Sequence, residues 1–293
     1  MLRRSLSMLS AYSWKDVPYV TEAPHALQAL DIAIPRRVPL HAKLPTCVFV
    51  HGGAWQRGDK SAGLNKDIDA AFVRAGYLGV TVNYRLSPDV RHPAHVNDVA
   101  AAVAWLHGNI AQFGGDPDNM VLVGHSAGAH LVMLIVADPD YLQAAGLKQP
   151  VDAVVKGAVG ISGVYNIVRL ANAPFFGSLV AEPPFGDRVE HWRQASIMTT
   201  VTRVGSTSPL AKMPLLLVNA QDDFHFQQDA QELAHWLMAE GKNPNVQRHV
   251  VANCNHFSII QQLAHDESNS NATMQLLETF LAHNAAPKAA PLV

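Results

Sequence analysis

The segment from Met120 to His130 constrains the fold of this chain more than any other part of the sequence. An apolar run over residues 120–123 ends in Gly-His-Ser-Ala-Gly at residues 124–128, and a second apolar stretch follows directly. A G-x-S-x-G sequence between a strand and a helix is typical of a nucleophile elbow, a sharp turn that lifts a serine hydroxyl clear of a sheet. Glycine at positions 124 and 128 removes side chains that would collide in such a turn. The pattern predicts an α/β fold in which Ser126 is a nucleophile.

Short apolar runs alternate with helical patterns along most of the chain, as in parallel βαβ units. The predicted strands cover residues 46–51, 78–84, 120–124, 158–162, 215–219 and 246–251. The predicted helices cover residues 62–75, 93–113, the stretch after Ser126, 229–240 and 273–283. Residues 163–213 break this rhythm with prolines, glycines and aromatic residues. At about fifty residues they are too long for a plain connection, so we expect an inserted helical lid over the active site.

The chain suits one large domain. Of its 293 residues, 48% are hydrophobic and 16% are charged, which allows an extensive buried core. We expect a single domain over residues 21–284, a flexible N-terminal extension over 1–20 and a flexible tail over 285–293.

Composition also restricts the partners. The net charge of −2 and the absence of a basic stripe argue against nucleic acid, and no apolar run is long enough to span a bilayer. The two cysteines, Cys47 and Cys254, form neither a disulfide framework nor a zinc pattern. We therefore expect a small-molecule substrate and neither membrane nor nucleic-acid partners, and the sequence leaves a homodimer open. The cytoplasm is the default location, although the basic, serine-rich start leaves an organellar presequence open.

A serine nucleophile needs a base, and the base needs a group that orients it. The apolar strand over residues 215–219 is followed by Asp222 and Asp223, either of which could be the acid. We favour Asp222, which lies three residues beyond Asn219. His256 follows the next strand after a short loop, and its imidazole suits proton transfer near neutral pH. The sequence therefore predicts a triad of Ser126, Asp222 and His256.

A glycine pair follows the first predicted strand, in the sequence His-Gly-Gly-Ala-Trp at residues 51–55. Glycines after a strand let the backbone turn its N–H groups toward an oxyanion. We expect the N–H groups of Gly52, Gly53 and Ala127 to form the oxyanion hole. Trp55 is predicted to bind substrate, with packing beneath the glycine loop as the alternative.

Two other polar features are open to more than one interpretation. His92 and His95 have the spacing of metal ligands, but no third ligand is evident, so we expect no metal. Asp98 lies on the same predicted helix and could brace a loop through hydrogen bonds or simply be solvated. We also expect no organic cofactor, because the chain lacks a P-loop and a dinucleotide-binding fingerprint.

Taken together, these motifs resemble the α/β-hydrolase superfamily and, within it, the esterase and lipase branch. The resemblance rests on residues 51–55, 83–88, 124–128 and the loops that carry Asp222 and His256. The His-Gly-Gly-x-Trp variant and the sequence Gly-His-Ser-Ala-Gly-Ala-His resemble kynurenine formamidases (arylformamidases). The chain departs from this pattern at Asn219, where a glycine is common, and in the doubled acid at 222–223.

The resemblance implies a serine hydrolase that converts N-formylkynurenine to kynurenine and formate through a formyl-enzyme. It assigns the triad to Ser126, Asp222 and His256, and the oxyanion donors to Gly52, Gly53 and Ala127. The alternative is a carboxylesterase that acts on small acyl or aryl esters with the same residues, because both reactions share their intermediates.

Overall fold

The computed structural model describes residues 11–36, 43–174, 176–264 and 271–285. Its strands are β1 (Ala11–Pro18), β2 (Ala29–Pro35), β3 (Leu44–Val50), β4 (Leu78–Val82), β5 (Gly115–His125), β6 (Val155–Ile161), β7 (Leu215–Asp222) and β8 (Val246–Asn255). They form one sheet in the order β1-β2-β4-β3-β5-β6-β7-β8. β2 pairs antiparallel with β1 and β4, and the other pairings are parallel.

Helices cover both faces of the sheet. They are α1 (Ile68–Arg74), α2 (Ala94–Asn109), α3 (Ala127–Ala137), α4 (Asp140–Ala144), α5 (Val151–Val154), α6 (Ile167–Asn172), α7 (Glu182–Phe185), α8 (Val189–Ala195), α9 (Ile197–Val204), α10 (Phe226–Ala239), α11 (Ser258–Ala264) and α12 (Ala272–Asn284). Successive residues of β5 point to opposite faces, so Leu122 packs in the cluster with α2 and α3, and Val123 packs with α1 and α12. This helix-flanked, mostly parallel sheet confirms the predicted α/β-hydrolase fold.

The structure corrects the prediction of a flexible extension over residues 1–20. Residues 11–18 form β1, and the Tyr19 hydroxyl donates a hydrogen bond to the Asn83 carbonyl at 2.9 Å. The Lys15 ammonium pairs with the carboxylates of Asp31 and Asp69. The hydrophobic pattern did not reveal β1 because it is an edge strand with mostly exposed side chains. Residues 1–10, and residues 286–293 of the predicted tail, lie outside the described residues.

Between β6 and β7 the chain forms what we call the helical insertion, residues 163–213. It contains α6 to α9 and a π-helical turn at Gly177–Ala181. Buried side chains such as Ile167, Ile197 and Val201 anchor it to the body of the molecule. The Arg169 guanidinium adds an ion pair with the Asp229 carboxylate of α10. None of the helices in the described ranges has the length and hydropathy that a bilayer span requires.

Candidate active site

Ser126 lies at the turn between β5 and α3, in the middle of the sheet. Its backbone has a φ of 53° and a ψ of −118°, a conformation that residues other than glycine rarely adopt. The Ser126 N–H donates to the Ile161 carbonyl at 2.9 Å, and the His130 N–H donates to the Ser126 carbonyl at 3.1 Å. A β-carbon at Gly128 would lie 2.1 Å from the Val50 carbonyl oxygen, so only glycine fits this turn.

Two hydrogen bonds join the nucleophile to a base and the base to an acid. The Nε2 atom of His256 lies 3.0 Å from the Ser126 hydroxyl oxygen, and Nδ1 lies 2.7 Å from a carboxylate oxygen of Asp223. A carboxylate only accepts, so Nδ1 carries the proton and Nε2 presents its lone pair to the serine. The Asp223 side chain is wholly buried and that of His256 is 7% exposed. This is the arrangement of a serine hydrolase triad.

The acid is therefore Asp223, and the predicted role of Asp222 is wrong. β7 continues through Asp222 instead of ending near Asn219, which moves the first residue after the strand to position 223. The Asp222 side chain is exposed, and its backbone carbonyl accepts a hydrogen bond from the His256 N–H at 2.9 Å. Asp222 thus supports the histidine loop through its backbone, whereas Asp223 contacts the imidazole.

Asn219 is a member of this site that the sequence reasoning missed. Its side-chain amide donates to the second carboxylate oxygen of Asp223 at 2.8 Å, and both residues are buried. The two oxygens of Asp223 are thus bound by His256 and Asn219, which fixes the plane of the carboxylate. A polar residue at the end of an apolar strand, four positions before the acid, was the available signal.

His125, the residue before the nucleophile, also supports the histidine loop. Its Nε2 atom donates to the backbone carbonyl of His256 at 2.9 Å. The side chain is buried, and burial, with a smaller contribution from the nearby His256, lowers its pKa from 6.5 to about 3. The ring is therefore neutral near pH 7, and its N–H ties the loop after β8 to the end of β5.

Residues 51–55, which we call the glycine loop, follow β3 and lie beside the nucleophile. A β-carbon at Gly52 would be 3.0 Å from the Ser126 β-carbon, which shows how closely the loop approaches. Gly53 has a φ of 115°, and a β-carbon there would lie 2.0 Å from the Arg57 carbonyl oxygen. Ala127 begins α3, where the first N–H groups have no partner within the helix. The loop and the helix terminus thus meet at Ser126, and the oxyanion role of Gly52, Gly53 and Ala127 remains a prediction.

Trp55 borders the cavity in front of Ser126 but is only 1% exposed. Its indole packs edge to face against the rings of His130 and Phe185, with centroids 5.1 Å and 4.8 Å away. These contacts favour the alternative in which Trp55 packs beneath the glycine loop. Its predicted role in binding substrate has no other support in the geometry.

The cavity has a volume of about 530 Å³ and a largely apolar wall. The helical insertion supplies Leu170, Phe176 and Val180, and the loops around His256 together with the start of α10 supply three more phenylalanines. These three are Phe224, Phe226 and Phe257, whose ring centroids lie 5.2, 5.5 and 5.3 Å from that of His256. The His256 imidazole is thus bordered by three aromatic rings on the side of the cavity.

The remaining polar candidates lie outside this site. Asp98 accepts hydrogen bonds from the Arg85 guanidinium and from the Gln28 side-chain amide, which braces the loop after β4. His95 Nε2 lies 3.0 Å from the Ser87 hydroxyl oxygen. Across the ranges that the structure describes, no three or more histidine, cysteine or acidic side chains are grouped as metal ligands.

Comparisons with known proteins show which family this chain resembles in sequence. The model of the BD-FAE family matches residues 30–237. The chain is 30% identical over 200 residues to the probable carboxylic ester hydrolase LipM of Mycobacterium tuberculosis, a match that covers 66% of this chain and 44% of the relative. It is also 30% identical over 200 residues to the kynurenine formamidase of Meyerozyma guilliermondii, covering 66% of this chain and 71% of that protein.

A solved structure shows the same fold. Esterase B from Lactobacillus rhamnosis superposes with a TM-score of 0.73 at 22% identity, covering 93% of this chain and 87% of that one. The sequence matches to LipM and to esterase LipQ, both of Mycobacterium tuberculosis, span less than half the length of those two relatives.

Proposed function

The chain belongs to the BD-FAE family, and on that premise we propose that it is a serine hydrolase that transfers a small acyl group from an aromatic alcohol or amine to water. The observation that carries this proposal is the continuous hydrogen-bonded series from Asp223 through His256 to Ser126 at the floor of an aromatic cavity. That series supplies the nucleophile, the base and the acid that orients it.

In the first half of the reaction, the Ser126 hydroxyl oxygen attacks the carbonyl carbon while His256 Nε2 takes its proton. The Asp223 carboxylate holds the imidazole through Nδ1 and stabilises the imidazolium that forms. The backbone N–H groups of the glycine loop and of Ala127 donate to the oxyanion. When the tetrahedral intermediate collapses, the bond to the leaving oxygen or nitrogen breaks, and that atom takes the proton from His256.

In the second half, water replaces the leaving group. His256 takes one proton from the water molecule, whose oxygen attacks the acyl carbon of the acyl-serine. Collapse of the second tetrahedral intermediate breaks the bond to the Ser126 oxygen, which recovers a proton from His256. The products are the carboxylic acid and the free alcohol or amine, and the enzyme returns to its starting state.

The aromatic rings around His256 favour an aromatic leaving group. The leaving atom must lie near His256 Nε2, because this nitrogen donates the proton to it. Phe224, Phe226 and Phe257 line the cavity there, and their ring centroids lie within 5.5 Å of that of His256. Offset or edge-to-face packing of an aromatic group against such rings contributes about 0.5–1.5 kcal/mol per pair beyond area burial.

N-formylkynurenine is the specific substrate that we propose to test first. It combines the smallest acyl group with an aromatic amine, which suits a nucleophile closely approached by the Gly52 backbone and a cavity lined by phenylalanines. The kynurenine formamidase relative and the His-Gly-Gly-x-Trp sequence at residues 51–55 support the same choice. Aryl esters of small acids are the alternative substrate class, supported by the esterase relatives.

Three substrates separate these alternatives. We would measure kcat/KM for N-formylkynurenine, phenyl acetate and ethyl acetate, with the Ser126→Ala variant as the control. A preference for N-formylkynurenine would identify a formamidase, and a preference for phenyl acetate an aryl esterase. If ethyl acetate is hydrolysed as well as phenyl acetate, the aromatic leaving-group site is wrong. If Ser126→Ala keeps most of the activity, the serine mechanism is wrong.

A further inference from the structure

A buried hydrogen bond joins the glycine loop to the nucleophile helix. The indole Nε1 atom of Trp55 lies 3.3 Å from Nδ1 of His130, which is on the first turn of α3. On the other side of the ring, His130 Nε2 lies 2.8 Å from the Ala195 carbonyl oxygen at the end of α8. Trp55 is 1% exposed, and His130 and Ala195 are fully buried.

The chemistry of the partners fixes the proton on His130. A carbonyl oxygen only accepts, so His130 Nε2 carries the hydrogen and donates it to Ala195. Burial lowers the pKa of this histidine from 6.5 to about 3, so the ring is neutral and Nδ1 has a free lone pair. An indole N–H only donates, and the Nδ1 lone pair accepts its hydrogen. His130 therefore accepts from the glycine loop and donates to the helical insertion.

The glycine loop needs such support because its backbone is strained. Gly53, Ala54 and Trp55 have φ values of 115°, 56° and 59°, three successive residues in the left-handed region. For a residue with a β-carbon this conformation costs about 1–3 kcal/mol and persists only where the surroundings hold it. The Trp55 carbonyl accepts a hydrogen bond from the Ser87 N–H at 2.8 Å, and the indole is held by His130.

The same ring connects the loop to the helical insertion. Phe185 of α7 packs against both rings, with centroids 4.8 Å from Trp55 and 5.7 Å from His130. The Gln56 side-chain amide also donates to the Leu179 carbonyl at 3.1 Å. The glycine loop is thus clamped between α3 on one side and the helical insertion on the other.

We propose that His130 is a positioning residue for the oxyanion hole: its bond to Trp55 holds the glycine loop in register with Ser126, and its bond to Ala195 links that register to the helical insertion. This inference rests on the proposed function, because the register of the loop matters to the rate only where its N–H groups bind an oxyanion. His130 does not touch the substrate and acts through Trp55.

Three variants test the proposal. His130→Asn places an amide oxygen near the Nδ1 position, which keeps an acceptor for Trp55. His130→Gln places an amide N–H near the Nε2 position, which keeps a donor for Ala195 and loses the acceptor. Trp55→Phe removes the indole N–H but keeps an aromatic ring beneath the loop. The double variant Trp55→Phe with His130→Gln completes a thermodynamic cycle.

Two readouts are needed, one of which does not depend on the natural substrate. The first is kcat and KM for phenyl acetate, together with the rate constant for inactivation by an aryl fluorophosphonate, which reacts at the serine. The second is the exchange rate of the Trp55 indole N–H, measured by nuclear magnetic resonance on protein with ¹⁵N-labelled tryptophan. The peak that Trp55→Phe removes assigns this N–H.

We expect His130→Gln and Trp55→Phe to lower kcat and the inactivation rate by about tenfold to a hundredfold with KM nearly unchanged, because a displacement of about 1 Å near the reacting atoms costs up to about a hundredfold. The double variant should lose no more than either single variant. His130→Asn should recover part of the rate and keep the indole N–H slow to exchange.

Other outcomes overturn the proposal or the function separately. If all three variants keep the wild-type kcat and inactivation rate and only the thermal midpoint falls, His130 is structural and the proposal is wrong. Additive losses in the double variant would equally contradict it. If the wild type is inactivated by the fluorophosphonate but hydrolyses no tested substrate, the proposed substrates are wrong, and the inactivation rates of the variants still decide the role of His130. A wild type that is not inactivated would overturn both.

Discussion

The carboxyl ends of β5, β7 and β8 carry the triad, and we call this region the sheet edge. It is built differently from the helical insertion that covers it. At the sheet edge, Ser126, Asp223 and His256 are at most 8% exposed, and hydrogen bonds fix each of them. In the helical insertion the cavity wall consists of apolar side chains, and Leu179 at its surface is 70% exposed. The triad side chains are positioned by directional bonds to one another, whereas the insertion forms the cavity wall through apolar packing.

This difference suggests a division of roles. Directional bonds between buried groups hold reacting atoms to a few tenths of an ångström, which catalysis requires. Apolar packing is less directional and accepts substrates of different shape. We therefore expect substitutions at the sheet edge to lower kcat, and substitutions in the insertion to change KM and substrate preference.

The largest expected difference between the two regions comes from removing one serine hydroxyl in each. Ser126→Ala should lower kcat/KM for the best substrate by about 10⁴-fold or more, leaving the binding and oxyanion contributions. Ser178→Ala removes an exposed hydroxyl from the insertion and should change kcat/KM by less than about twofold. A loss of more than tenfold in Ser178→Ala would show that the insertion takes part in the chemical step.

Next in size is the contrast between the two adjacent acids at the sheet edge. Asp223→Asn keeps the shape of the carboxylate but removes its charge, so the His256 tautomer is no longer fixed and kcat should fall by about 10³- to 10⁴-fold. Asp222→Asn changes an exposed side chain and leaves its backbone carbonyl in place, so kcat should stay within about threefold. The opposite ranking in steady-state assays would restore Asp222 as the triad acid.

Lowering the pH should destabilise the region around the nucleophile more than it destabilises the helical insertion. Burial lowers the pKa values of His125 and His130 from 6.5 to about 3, whereas His191 of the insertion is exposed. Below about pH 6.5 the unfolded chain binds protons at these two histidines and the folded chain does not. Their contribution to the free energy of unfolding is therefore complete above pH 6.5 and is lost as the pH falls toward 3. Each of the two histidines contributes up to about 1.4 kcal/mol per pH unit within this window.

Urea denaturation between pH 7 and pH 5 measures this effect. The free energy of unfolding should fall with pH, and the slope should be smaller by about one proton in His125→Asn or His130→Asn. His191→Asn, which replaces an exposed histidine of the insertion, is the matched control. A wild-type free energy that does not vary from pH 7 to pH 5 would contradict the burial of neutral histidines beside the nucleophile.

The smallest expected effect tests the insertion itself. Phe176→Ala removes a ring that lines the cavity and packs against Phe224 at a centroid distance of 5.5 Å. KM for phenyl acetate should rise about threefold to tenfold with kcat nearly unchanged, because the loss of one aromatic contact is worth about 0.5–1.5 kcal/mol. Leu179→Ala is the control at the exposed surface of the insertion. A fall in kcat without a change in KM would show that the insertion positions reacting groups.

The parts of this molecule that could be predicted from sequence are those with local signals. The apolar run before Ser126, the glycines around it and the strand before His256 each leave a short pattern that depends little on the rest of the chain. The strands from β3 to β7 were found for the same reason, since buried parallel strands form nearly continuous apolar runs, and β8 was found from its short run of valines. β1 and β2 were missed, because β1 is an exposed edge strand and the charged, buried Asp31 interrupts the apolar run of β2.

The rest depends on contacts between distant residues. Whether the acid is Asp222 or Asp223 depends on where β7 ends, and element boundaries are the least reliable part of a sequence prediction. The roles of His125 and His130 follow from bonds to His256 and Trp55, 131 and 75 residues away, and the chain has 15 histidines with no local feature to separate them. The helices of the insertion are short, so their periodicity was too weak to place them.

The left-handed backbone at Ser126 has a consequence for the evolution of this chain in the laboratory. A serine at a φ of 53° costs about 1–3 kcal/mol that a glycine would not, so Ser126→Gly should raise the thermal midpoint while abolishing turnover. Selection of a mutant library for heat resistance alone would therefore enrich glycine at the one position where it is fatal to activity. Any search for a more durable variant of this protein must select for turnover in every round, since stability and the proposed chemistry favour opposite residues at position 126.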